Sequence, residues 1–170
     1  MRALNFFLLG LVAMLFTGCA GYHLGAVNGV VAGERTVEVL PFNNQTLQPR
    51  LGDALTQAMR ERVQMDGTYR LATHGAGDVI VTGVIHQYQR ESLGFAATDV
   101  ATPEDYRVGA IVHVTARDRI SGKLLLDKDV KGYTLVNIGS DLASAERQAL
   151  PLLAEDIAHN IGELLTEGAW

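Results

Sequence analysis

Arg107-Val108-Gly109-Ala110-Ile111-Val112-His113-Val114-Thr115-Ala116-Arg117-Asp118-Arg119 reads as the clearest strand in the chain. Val108, Ala110, Val112, Val114 and Ala116 fall on one face. Arg107, His113, Thr115 and Arg117 fall on the other, with Ile111 as the exception. Apolar residues at a period of two predict a strand with one side on a core and the other facing solvent or a partner. Ile120-Ser121-Gly122-Lys123 then has the chemistry of a hairpin turn, and Leu124 to Leu135 returns as the next strand. Upstream, Asp78 to Glu91 predicts another long strand. Ser92 to Tyr106 contains Gly94 and Pro103 and is expected to be a long loop.

Further towards the N-terminus, Thr36 to Phe42 predicts a short strand ending near Pro41, which has no N–H to donate. Asn43 to Thr46 is turn chemistry. Pro49 suits the first turn of a helix running to about Met65, with Leu51, Leu55, Ala58, Met59 and Arg62 along one stripe, read as core packing, and Gly67 as its C-terminal cap. Thr68 to Ala72 is a candidate extra strand. At the other end, Ser140 or Asp141 can cap a final helix carrying Leu142, Ala145, Ala149, Leu153, Ile157, Ile161 and Leu164 at helical spacing. Pro151 inside it predicts a kink or a start, and Gly168 an end. The order β-α-β-β-β-α predicts an α+β two-layer sandwich, with both helices on one face of a mostly antiparallel, mixed four-stranded sheet.

The first 18 residues have a different logic. Arg2 precedes an almost wholly apolar run from Leu4 to Phe16, and Thr17 and Gly18 precede Cys19, the single cysteine of the chain. A charged start, an apolar core and small residues before a cut form an export signal. Phe16-Thr17-Gly18-Cys19 resembles the bacterial lipobox, with Phe16 where Leu is usual. An unpaired cysteine in an exported chain calls for a reason, and thioether lipidation supplies one. Several acyl chains, at about 0.8 kcal/mol per buried methylene, make a stable anchor where one holds only marginally. Ala20 rather than Asp after Cys19 points, by resemblance to bacterial sorting rules, to the outer membrane. The chain thus divides into a signal peptide (1–18), a lipidated N-terminus and glycine-rich flexible tether (19–35) and one domain (36–170).

The full chain has a formal charge of −5, which argues against a general nucleic-acid binder. Residues 107–131 stand apart, with six basic residues against three acidic ones. Arg117, Arg119 and Lys123 cluster at one hairpin end. Guanidinium groups suit bidentate recognition of phosphate, such as a phosphorylated lipid headgroup. Charge that keeps a solvated sheet edge soluble accounts for the same cluster. No catalytic set emerges. The five histidines lack the i,i+4 spacing of a helical zinc site, and there is no G-x-S-x-G, S-x-x-K or Walker loop. Asp127 and Asp129 share a strand face, which a solvated surface explains. No catalytic residue, metal site or cofactor beyond the lipid on Cys19 is expected, and the chain is not expected to be an enzyme.

Cys19-Ala20-Gly21-Tyr22-His23-Leu24, Val37-Glu38-Val39-Leu40-Pro41-Phe42-Asn43-Asn44-Gln45-Thr46, the helix 51–63, Asp78-Val79-Ile80-Val81-Thr82-Gly83, the Asp118–Lys123 hairpin and the alanine-rich last helix together resemble the LPS-assembly lipoprotein family, LptE. The resemblance implies a two-helix, four-stranded sandwich seated inside a large outer-membrane β-barrel, LptD. There it acts without catalysis as a plug and assembly factor that contacts lipopolysaccharide. A regulator of envelope synthesis or a secretion-channel subunit, also an outer-membrane lipoprotein, is the alternative.

Overall fold

The computed structural model describes residues 32–96, 99–137 and 141–167. The signal segment, Cys19, Ser140 and Gly168 lie outside them. Among the described residues the order is β1 (Thr36–Val39), β2 (Asn43–Asn44), α1 (Leu51–Asp66), β3 (Arg70–Leu71), β4 (Val79–Ala96), β5 (Asp99–Asp118), β6 (Leu124–Asn137) and α2 (Leu142–Thr166). The strands form one mixed sheet in the order β3-β1-β4-β5-β6, with β2 also paired to β4. β1 runs parallel to β3 and β4, while β4–β5 and β5–β6 are antiparallel. The architecture is the expected α+β sandwich, but the sheet has six strands rather than four.

The two extra strands are short. The expected strand Thr36–Phe42 ends at Val39, because Pro41 has no N–H with which to continue a ladder. Beyond it the chain rejoins the sheet as β2, at residues read as a turn, where Asn43 and Asn44 pair with Val84 and Ile85. The Phe42 N–H, freed by the break, donates to Thr56 Oγ1 at 2.9 Å. The Phe42 ring lies over Gly83, where an added Cβ would sit 2.6 Å from Phe42 Cδ1. The second extra strand, β3, falls inside the candidate segment Thr68–Ala72.

Pro49 lies outside α1 rather than in its first turn. Arg50 takes the left-handed conformation (φ 65°) before the helix begins at Leu51, and the preceding turn is closed by Asn44 and Thr46 side chains. Gly67 ends the helix at φ 74°, as expected. The expected loop Ser92–Tyr106 is instead the far part of a long β4–β5 hairpin, whose register runs to Ala96 opposite Asp99. Gly94 and Pro103 do not break it, because three register irregularities between Ser92 and Ala96 absorb them. Asp141 caps α2, accepting from the Ala143 and Ser144 N–H groups, both at 3.1 Å. The helix begins at Leu142 and runs on through Pro151.

Both helices cover one face of the sheet. Leu51, Leu55 and Met59 of α1 and Leu153, Ile157 and Ile161 of α2 are fully buried against Val81, Ile85, Val112 and Val114. Each such side chain contributes about 1.5–3 kcal/mol on burial. The inward set of β5 is the one predicted: Val108, Ala110, Val112, Val114 and Ala116. On β4 the inward phase changes once. Ile85 opposes Val112 but Gln87 opposes Ile111, so His86 is an extra residue, a β-bulge. Before it, odd-numbered residues face the helices. After it, Tyr88 and Arg90 do, and both reach Glu146 of α2, Arg90 at 2.8 Å and Tyr88 at 3.5 Å. Burial, then the Glu146 charge, pushes the Tyr88 phenol up to about 12.

Candidate functional site

The face of the sheet away from the helices carries the polar chemistry of the chain. The registers set it out in rows across β4, β5 and β6. Thr82, Thr115 and Asp127 form one row, with the two threonine hydroxyls 2.8 Å apart. Val84, His113 and Asp129 form the next. Here the His113 ring lies between two carboxylates, Nδ1 at 2.9 Å from Asp129 and Nε2 at 3.0 Å from Asp127. His86, on the bulge, brings its Nε2 to 3.6 Å from Asp129. The His113 hydrogen bond holds the Asp129 carboxyl below the usual carboxylate range. Asp127 and Asp129 thus share a face, as their spacing predicts, but they bracket an imidazole rather than stand alone. Among the described residues no group of three or more such side chains is arranged to hold a metal ion.

Further along the same face, Gly109 lies opposite Tyr133 and Gln89. With no side chain at Gly109, a hollow of about 170 Å³ opens between Arg107, Ile111, Lys131 and Tyr133, with Gln89 and Glu91 on the β4 side. The Arg107 guanidinium lies 5.3 Å from the Tyr133 ring centre and 3.4 Å from Glu91. Tyr133 and its neighbour Leu135 are 61% and 63% exposed. The face therefore offers two cations, an aromatic ring and an exposed aliphatic side chain around a shallow, open depression. Such a surface can hold an anionic group against a partly apolar wall. Arg107 and Lys131 belong to the basic segment 107–131, where charge alone does not distinguish them from Arg117, Arg119 and Lys123. The available signal was a glycine in the middle of a strongly alternating strand, which marks a close approach or a gap.

The predicted basic cluster is brought together only in part. Arg119 turns back across the sheet end, donating to the Gly77 carbonyl at 2.6 Å and pairing with Glu38. Its charge is thereby matched. Arg117 donates to the Gly122 carbonyl at 2.9 Å and stays exposed, and Lys123 is exposed at the turn. The turn itself is held by Asp118, which accepts from Ile120 N, Ser121 N and Ser121 Oγ and pairs with Arg35 at 2.6 Å. Gly33, in the last part of the expected tether, is likewise tied to the domain by its N–H to the Thr68 carbonyl at 3.0 Å.

Among the described residues no helix is long and apolar enough to cross a membrane. No curated protein matches the chain. Several solved structures share its fold. The hypothetical protein CT253 from Chlamydia trachomatis superposes with a TM-score of 0.57 at 10% identity, covering 81% of this chain and 98% of that one. Protein XCC0632 from Xanthomonas campestris gives 0.57 at 10% identity, over 86% and 93%. A minor lipoprotein from Acinetobacter baumannii gives 0.51 at 11% identity, over 78% and 92%. At these identities the likeness is one of fold. The sequence itself carries the further step: the model of the family described as LptE, lipopolysaccharide-assembly, matches residues 34–163, which span β1 through most of α2. The chain belongs to the LptE lipopolysaccharide-assembly family.

Proposed function

We propose that the chain is an outer-membrane lipoprotein, anchored through Cys19 on the periplasmic side, that works in the lipopolysaccharide translocon. In this reading it is a plug and assembly factor for an LptD-type β-barrel, contacts lipopolysaccharide and performs no catalysis. The observation that carries the reading is the family match across residues 34–163. The geometry is compatible with it. One sheet face is closed by helices, and the other presents cations and exposed apolar groups to a partner or ligand.

The lipopolysaccharide contact is assigned to two places. One is the hairpin, where Arg117 and Lys123 stay available while Arg119 is matched by Glu38. The other is the hollow beside Gly109, with Arg107 and Lys131. Phosphate groups on the lipid suit both, and the attraction weakens with salt. The test is to purify the full-length chain from membranes and identify what accompanies it. A large outer-membrane barrel is expected, and its absence from a well-folded preparation overturns the reading. Alanine at Arg107 and Lys131, and separately at Arg117, Arg119 and Lys123, should weaken lipopolysaccharide binding at low salt. Unchanged binding in both sets removes the assigned contacts.

A further inference from the structure

β6 is 14 residues long and, among the described residues, is the outer strand of the sheet, paired on one side only. A long strand edge is a template for pairing with another chain. Two backbone groups on this edge are already taken. The Tyr133 N–H donates to Asp156 Oδ2 of α2 at 2.9 Å, and the Lys131 carbonyl accepts from Asn160 Nδ2 at 2.9 Å. The N–H and C=O of alternate residues point to opposite sides of a strand. From Asp127 onward, past the register irregularity at Leu125, the odd-numbered residues of β6 therefore present their backbone groups to the free side, and α2 holds two of these groups.

Gly132 makes this contact possible. A Cβ there would collide with Ile157 and stand 2.8 Å from Asp156 Oδ2. Asp156 and Asn160 sit four residues apart, one helical turn, so both reach the strand from one side of α2. The edge beside this contact also carries charges that complement a second copy of itself, offset only at Asp129. If two copies of β6 paired antiparallel about Asp129, each Asp127 would face Lys131 of the second copy. The Asp129 carboxylates would meet at the centre, each already hydrogen-bonded to His113.

We propose that Asp156 and Asn160 of α2 act as an edge guard that blocks strand addition of a second copy of this chain at β6. They do so by occupying the backbone groups of Lys131 and Tyr133 that such a pairing needs. The guard is a pair of side-chain hydrogen bonds, so it can be removed while the apolar face of α2 stays packed.

The experiment uses the full-length chain in detergent, with mass read by light scattering across a concentration series. Wild type is expected to stay at one mass. Asp156→Ala with Asn160→Ala is expected to show a concentration-dependent twofold rise in protein mass, with slowed amide exchange at Asp127 and Asp129. Asp156→Asn keeps an acceptor oxygen and is expected to remain monomeric. A double variant with a wild-type circular-dichroism spectrum that stays at one mass overturns the proposal. A second measurement, on wild type alone, holds even if the double variant fails to fold. The Tyr133 amide should exchange at least tenfold more slowly than those of Asp127 and Leu135. Equal rates would also overturn the proposal.

Discussion

Replacing Thr56 with Val tests how α1 is joined to the broken first strand. Thr56 is only 7% exposed, and its hydroxyl has two partners. It accepts from the Phe42 N–H at 2.9 Å and donates to the Gly52 carbonyl at 2.7 Å. Valine has nearly the same shape but cannot accept, so the Phe42 N–H is left buried without a partner. A buried donor without an acceptor costs about 1–3 kcal/mol. For a domain of this size that lowers the melting temperature by roughly 3–9 °C. Thr56→Ser keeps the hydroxyl and loses one methyl group, a loss of about 0.8 kcal/mol before any cavity cost. Urea unfolding of the wild type and both variants, compared at constant slope, measures the difference. Valine is expected to be the more damaging change, and the Phe42 amide should exchange faster in it. If Thr56→Val matches wild type within about 0.5 kcal/mol, or serine is worse than valine, the role given to the hydroxyl is wrong.

Two further outcomes follow from the same geometry. Gly83→Ala places a methyl 2.6 Å from Phe42 Cδ1 and 3.2 Å from the His113 carbonyl. The overpacking should cost about 1–3 kcal/mol, read by the same urea titration. Asp78 and Asp118 are held below the carboxylate value of 3.8, Asp78 first by the Thr36 N–H and Asp118 first by the Ser121 N–H. Their stabilisation is complete above 3.8 and is lost as pH falls through the lower folded-state values. Asp118→Asn should therefore lose less stability on acidification than wild type, measured as urea midpoints down a pH series.

Much of the layer structure was legible because burial follows period. The Arg107–Arg119 alternation placed every inward residue of that part of β5, and the Leu51–Met59 stripe placed the buried side of α1. The misses have physical causes. Gly94 and Pro103 read as loop signals, yet a long antiparallel pair can carry both at register irregularities. Asn43 and Asn44 read as a turn, but their pairing with Val84 and Ile85 depends on a strand 41 residues away. The basic hairpin was legible as charge, though not that Glu38, distant in sequence, matches Arg119. The hollow beside Gly109 and the imidazole between Asp127 and Asp129 needed the cross-strand register, which periodicity alone does not supply.

The extra residue at His86 has a consequence for how this hairpin tolerates change. Deleting it would place Gln87 directly after Ile85 and still opposite Ile111, so ordinary pairing is restored with Tyr88 and Arg90 still turned towards Glu146. The bulge is thus a place where β4 can lose one residue without any side chain changing sides. A residue lost from the regular ladder of β5 would instead reverse every side chain beyond it. Length variation between relatives is therefore expected to collect at the bulge and at the hairpin tip.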